Sequence, residues 1–334
     1  MIVELHGYTV LGSDPIRAPA IPDTPPLSCE PTTAPTQPIY PDDPSRHLRS
    51  CGSCADGKKK CLFFHGTGVK VDSKKLLTQY PLYWGSDILD SAPCCSSIRF
   101  ARFNTYNTAW TDEILQTKFC NAMLNYDDDD TSPDETVVND LIVVTHSMAG
   151  LVMGLALNSS RCELASSSKW VSIAAPMAGS NSADHISALC QQDDGSNSLS
   201  LTGQCPVAPT FNYFYKEGSP TAVDKGLDDY YAQAQDGFVQ NVYAVMCGTS
   251  PFGLSSAYSP ALALISSISK HSGDDDGLVE IASCSAGLDD ARFSSSYTSR
   301  FYSASINHVD ATFRNGDGFF GDGRKPLKWF SCLF

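Results

Sequence analysis

The feature that most constrains this chain is the run Val143-Val-Thr-His-Ser-Met-Ala-Gly-Leu-Val152. Leu141 to Thr145 is continuous and mostly β-branched, the pattern of a strand buried on both faces. Met148 to Leu157 is apolar throughout and lacks proline, so it reads as a buried helix. Only His146 and Ser147 separate the two. A strand that enters a helix without a loop must turn sharply, and the residue at the turn is lifted clear of the backbone. A serine there presents its Oγ beside a helix N-terminus, whose unpaired N–H groups favour developing negative charge. The usual pattern for such a turn is G-x-S-x-G. Here Thr145 and Ala149 stand at the glycine positions and Gly150 follows. A serine that merely caps a core helix gives a similar local pattern, so other residues must decide between the readings.

Upstream, the apolar run Cys61-Leu-Phe-Phe64 ends at His65-Gly-Thr-Gly68. Acyl transfer needs two N–H donors aimed at one oxyanion, and the backbones of Thr67 and Met148 are assigned to that task. Downstream, a serine on this type of turn is followed in chain order by an acid and then a histidine. After residue 276 the sequence holds one histidine, His308, just beyond the strand-like Phe301 to Ala304. It is the candidate to take the proton of Ser147. The acid comes from His271-Ser-Gly-Asp-Asp-Asp276-Gly-Leu-Val279, which offers Asp274, Asp275 and Asp276. A calcium-loop reading of this stretch fails, because Ser272 and Ser283 stand where an EF-hand needs acids.

Strand and helix patterns alternate along the rest of the chain. Ile98 to Phe103, Trp170 to Ala174 and Val242 to Cys247 read as strands. Thr111 to Leu124 reads as a helix with Thr111 as N-cap. Such alternation implies a parallel sheet with crossover helices. Residues 1–57 carry ten of the twenty prolines and read as an extended arm, tied on by Cys29 or Cys51. Residues 58–334 form the main domain. Residues 178 to about 240 break its rhythm and read as a cap over the carboxyl edge of the sheet. Within the cap, Phe211, Phe214 and Tyr215 are assigned to the substrate, while Tyr213 adds a fourth aromatic that anchors or lines.

Composition narrows the partners. A net charge of −14 repels phosphate backbones, which argues against nucleic acid and, with the aromatic cap, for uncharged ester substrates. No stretch of about 18 apolar residues suggests a membrane span. Met1 to Pro15 lacks the basic-then-apolar pattern of an export leader, so the expectation of an extracellular, oxidising compartment rests on the 13 cysteines. They are spread along the chain, and only Cys51-Gly-Ser-Cys54 has metal or redox spacing, without the second knuckle or the flanking strand and helix those sites need. Disulfides are the better reading. Cys190 and Cys205 are expected to close a cap loop, and the odd total leaves one thiol over.

Taken together, these motifs resemble those of the secreted triacylglycerol lipases of the α/β-hydrolase superfamily, especially the bacterial ones. The shared residues are the HG-x-G strand end at His65, the H-S-M turn at Ser147, and Ala175-Pro176-Met-Ala-Gly179-Ser180. To these add Asp275-Asp276-Gly277-Leu278-Val279 and Asn307-His308-Val309-Asp310. Five motifs fall in that family's order between roughly residues 60 and 312. The resemblance implies a mostly parallel, doubly wound α/β sheet of the α/β-hydrolase type with an inserted cap. It also implies a serine carboxylic-ester hydrolase with Ser147, Asp276 and His308 as its triad, Asp276 being the aspartate directly before Gly-Leu-Val. No cofactor is implied; the partners are a small-molecule or lipid ester and, transiently, a lipid interface. Relatives often hold a calcium through an aspartate like Asp310 and a polar residue four positions on. Here that position is Arg314, a cation, so no metal is expected. Two rivals remain: an acyltransferase or thioesterase with the same triad, and a non-catalytic secreted binding protein on the same fold.

Overall fold

The computed structural model describes residues 51–127, 136–191, 207–220, 222 and 226–334. The Pro-rich arm up to residue 50, Cys29, most of the acidic stretch Asp127 to Asp130, and Cys205 with its expected bond to Cys190 lie outside the described residues.

Eight strands are described: β1 (Lys59–Phe64), β2 (Cys95–Ala101), β3 (Val137–Val138), β4 (Leu141–His146), β5 (Glu163–Leu164), β6 (Lys169–Ile173), β7 (Val242–Gly248) and β8 (Phe301–Ala304). Six of them make one sheet in the order β2-β1-β4-β6-β7-β8, and every pairing in it is parallel. β3 and β5 pair apart from it as a short parallel ribbon, which two-residue strands leave invisible in the sequence. Successive side chains point to opposite faces. Leu62 and Phe64 of β1 and Leu141 and Val143 of β4 enter one core, while Cys61, Phe63, Ile142 and Val144 enter the other.

Helices cover both faces. α1 (Pro81–Trp84) contributes Trp84 to the second core, and α2 (Glu113–Leu124) contributes Phe119 to the first. The N-cap of α2 is Asp112, not Thr111: its carboxylate accepts the Ile114 N–H at 2.8 Å. α3 (Met148–Asn158), α4 (Asn181–Gln191), α5 (Leu227–Asn241), α6 (Ser259–Ser269), α7 (Ile281–Cys284) and α8 (Pro326–Cys332) follow. The result is a doubly wound, parallel α/β fold of the α/β-hydrolase type.

The 178–240 segment is not all cap. α5 is a crossover helix, packed so closely on α3 that a Cβ at Gly237 would stand 2.1 Å from the Gly154 carbonyl oxygen. Glycine on both sides of the crossing lets the two backbones meet. What lies at the carboxyl edge is α4 together with the 3₁₀ turn Pro209–Phe214.

Five disulfides staple the described chain: Cys51–Cys332, Cys54–Cys94, Cys61–Cys95, Cys120–Cys162 and Cys247–Cys284. The two cysteines of CGSC thus bond to different partners, not to each other. Cys51 joins the start of the described chain to α8. Cys247–Cys284 clamps the carboxyl end of β7 to α7, beside the loop that carries Asp276. Among the described residues, no helix is long and apolar enough to cross a membrane.

Candidate active site

Ser147 occupies the turn between β4 and α3 with φ 57° and ψ −129°. A positive φ is strained for a non-glycine residue. It is held there by the Ser147 N–H bond to the Ile173 carbonyl at 2.9 Å and by the burial of α3 behind it. Thr145, at the first glycine position of the usual motif, is buried and accepts the Trp170 indole N–H at 2.8 Å. A hydroxyl with a partner is therefore tolerated where the pattern expects no side chain.

Ser147 Oγ lies 3.0 Å from His308 Nε2, and His308 Nδ1 lies 2.7 Å from Asp276 Oδ2. All three side chains are buried, Asp276 most deeply. Asp276 can only accept in its charged form, so Nδ1 carries the proton and Nε2 accepts from the serine hydroxyl. The second oxygen of Asp276 takes the N–H groups of Leu278 and Val279 at 3.0 and 2.8 Å. The His308 N–H in turn bonds to the Asp276 carbonyl at 2.8 Å. The two loops are thus cross-tied by backbone as well as side chain. Asp275 is directed elsewhere, to Ser266 and the Gly277 N–H, and burial pushes its carboxyl above the usual range.

The HGTG turn packs directly against the serine. A Cβ at Gly66 would stand 2.8 Å from Ser147 Cβ, so only glycine fits. Burial lowers the His65 pKa to about 4, which keeps the ring neutral. Its Nε2 accepts the Phe103 N–H at 2.9 Å and its Nδ1 donates to the Gly66 carbonyl at 2.8 Å. Thr67 lines the cavity above Ser147, its hydroxyl bonded to the Thr105 carbonyl at 3.1 Å. The Met148 N–H opens α3, in the first turn where no intrahelical carbonyl is available.

Two residues that the sequence reading passed over lock this corner together. Tyr83 Oη accepts the Gly66 N–H at 2.7 Å and lies 2.6 Å from His146 Nδ1. His146 Nε2 lies 3.0 Å from the His308 carbonyl oxygen. That carbonyl can only accept, so Nε2 donates and Nδ1 takes the tyrosine proton. Burial, reinforced by the neighbouring His308 and Arg314, holds the His146 pKa well below the ordinary histidine range, as this neutral tautomer requires. The chain Gly66–Tyr83–His146–His308 therefore joins the HGTG turn to the histidine loop through the residue preceding the serine. The only sequence signal was the position of His146 itself.

The cavity over Ser147 is lined by the apolar Pro176, Ile186, Phe211, Phe214, Ile265 and Leu278, and also by Tyr83, Thr312 and Arg314. Phe211 and Phe214 thus reach it. Tyr215 does not: it is buried in the core, and its carbonyl accepts the Tyr231 hydroxyl at 3.1 Å. The Tyr213 carbonyl is likewise an anchor, taking the Trp110 indole N–H at 2.6 Å. A 3₁₀ turn repeats every three residues, so Phe211 and Phe214 share a side that Tyr213 and Tyr215 leave.

A second serine–histidine–acid line lies under the cap. Ser182 Oγ is 3.1 Å from His271 Nε2, and Glu280 Oε1 is 3.1 Å from His271 Nδ1 and 3.4 Å from Lys216 Nζ. Ser182 sits in the first turn of α4 with its N–H on Ser180 Oγ, without a strand-to-helix turn beneath it. This cluster ties the cap to the Asp276 loop.

Asp310 is fully buried, and burial raises its carboxyl. Its oxygens take the N–H groups of Leu254, Asn307 and Asn315. Hydrogen-bond donors thus surround this carboxylate. Among the described residues, no group of three His, Cys, Asp or Glu side chains could hold a metal ion.

No family model matches this chain, and no curated protein does. Among solved structures it is similar to the mature form of the Bacillus licheniformis lipase BlEst2, at 14% identity and TM-score 0.48, over 84% of this chain and 95% of that one. It is similar also to the Staphylococcus hyicus lipase, at 12% and 0.44 over 83% and 94% of the two chains. A third is lipase 1 from Pelosinus fermentans, at 14% and 0.37 over 83% and 97%.

Proposed function

We propose that this chain is a secreted serine carboxylic-ester hydrolase that works through an acyl-enzyme on Ser147. The observation that carries the reading is the unbroken line from Ser147 Oγ through His308 to Asp276, set on a strained turn beneath an apolar cavity. His308 Nε2 removes the serine proton as Oγ bonds to the ester carbonyl carbon. The carbonyl oxygen becomes an oxyanion, received by the Thr67 and Met148 N–H groups. Collapse of this intermediate breaks the acyl–oxygen bond, and His308 hands its proton to the departing alkoxide. Asp276 fixes the tautomer and stabilises the imidazolium. Water, deprotonated by the same histidine, then attacks the acyl-serine and releases the acid. Phe211 and Phe214 supply the apolar wall against which an uncharged acyl chain is buried. The disulfides support an oxidising, extracellular setting.

The test is labelling by a fluorophosphonate, followed by turnover of a p-nitrophenyl acyl ester. Ser147→Ala is expected to abolish labelling and to cut kcat by about 10⁴-fold or more. A folded Ser147→Ala protein with near-normal turnover refutes the reading.

A further inference from the structure

Arg314 is a cation on the wall of an otherwise mostly apolar cavity, in a chain whose net charge is −14. It is also firmly held. Nε donates to the Tyr83 carbonyl and to Thr312 Oγ1, both at 2.9 Å, and Nη2 reaches the same Tyr83 carbonyl. Nη1 points to the Tyr258 hydroxyl at 3.5 Å. The guanidinium lies over the Tyr83 and Tyr258 rings, 5.4 and 5.6 Å from their centroids. These bonds use three of its five N–H groups and leave one on each terminal nitrogen. Among the described residues, no carboxylate forms an ion pair with it.

From this we infer that the substrate is an acyl ester whose alcohol part carries an anionic group, a phosphate or a carboxylate, received by Arg314. The inference rests on the hydrolase reading above and adds the class of alcohol. The place of Arg314 in the histidine loop decides which part of the ester meets the cation. His308 must deliver its proton to the departing alkoxide, so the alcohol lies on the histidine's side of the scissile bond. Arg314 belongs to the same loop, two residues beyond the short turn Asp310–Thr312. The apolar wall of Phe211, Phe214 and Ile186 belongs to the cap and is left for the acyl chain. The net charge alone favoured uncharged esters. A guanidinium in direct contact outweighs it, because surface charges more than about 8 Å away are largely screened at physiological salt. Arginine's flat, paired donors suit phosphate and carboxylate oxygens.

The experiment uses the full chain, a short-chain monoacylglycerol, and the same molecule bearing a 3-phosphate or a 3-O-carboxymethyl ether. The wild-type protein is expected to show the higher kcat/KM on an anionic ester. Arg314→Gln should lower the ratio of charged-ester to neutral-ester kcat/KM about 10- to 100-fold, the worth of a charge-assisted hydrogen bond. Arg314→Lys, which keeps the charge, should recover part of the loss. Whichever of the phosphate and the carboxymethyl ether is favoured names the anion. A merely structural arginine would slow all three esters together, and that result overturns the inference. So do equal wild-type values on charged and neutral esters, or turnover of none of them by a protein whose Ser147 is still labelled by fluorophosphonate. Loss of labelling itself would refute the hydrolase reading instead.

Discussion

Replacing Tyr83 by phenylalanine removes one oxygen atom and tests the network that joins the two sides of the site. The ring stays, and so does the Tyr83 carbonyl that holds Arg314. What disappears is the acceptor for the Gly66 N–H and the donor to His146 Nδ1, at 2.7 and 2.6 Å. Both partners are shut off from water: Gly66 is buried and His146 is 3% exposed. A buried polar group left without a partner costs about 1–3 kcal/mol, so two of them cost about 2–6 kcal/mol. Against a typical domain stability of about 5–15 kcal/mol that is a large fraction. Each kcal/mol lowers the midpoint by about 2–4 °C in a domain of this size, so Tm should fall by roughly ten degrees. Urea unfolding followed by tryptophan fluorescence, with and without the substitution, measures it directly. A loss below about 1 kcal/mol would show that the hydroxyl is not the bridge described here. Because the bridge also positions the Gly66–Thr67 turn and the His308 carbonyl, kcat should fall while the protein is still folded at low temperature.

Two further outcomes are expected. His65 titrates at about 4 in the folded protein against an ordinary 6.5; the unfolded chain therefore binds the extra proton between those values, and stability is lost as pH falls from about 6.5 towards 4. The depression is worth about 3 kcal/mol at 1.36 kcal/mol per unit, so urea midpoints of the wild type should drop more steeply over that window than those of His65→Gln, and parallel curves would contradict it. Gly237→Ala sets helix propensity against packing: an exposed helical site would gain about 1 kcal/mol from alanine, but here the new Cβ would meet the Gly154 carbonyl oxygen at 2.1 Å, so we expect a net loss of about 1–3 kcal/mol, and a stabilised variant would show that α3 and α5 do not cross so closely.

Much of the architecture was legible because it is written in local pattern. The apolar run of β4, the apolar helix after it and the serine between them need no distant information, since strand and helix periods differ and the change of period marks the turn. The order of the serine, the aspartate loop and the histidine loop is likewise a property of the chain. Local pattern failed where several conformations give one composition. A strand of alternating aromatics and a 3₁₀ turn both fit Phe211 to Tyr215, and only the turn sends Phe211 and Phe214 to the cavity while withdrawing Tyr215. The 178–240 segment reads as one inserted cap, yet α5 is a crossover helix, recognised only through Gly154 and Gly237 meeting across two helices.

By itself, then, the sequence pointed to the layered α/β class, the turn at Ser147, and the aspartate and histidine loops proposed to act with it. Tertiary structure alone decided which groups surround them. Tyr83 and His146 are 63 residues apart, and Arg314 reaches the Tyr83 carbonyl across 231. A tyrosine, a histidine or an arginine looks ordinary at any position in a string. Its chemistry becomes specific when burial removes water and leaves one partner within reach, and the long-range pairing of the sheet is what brings that partner there.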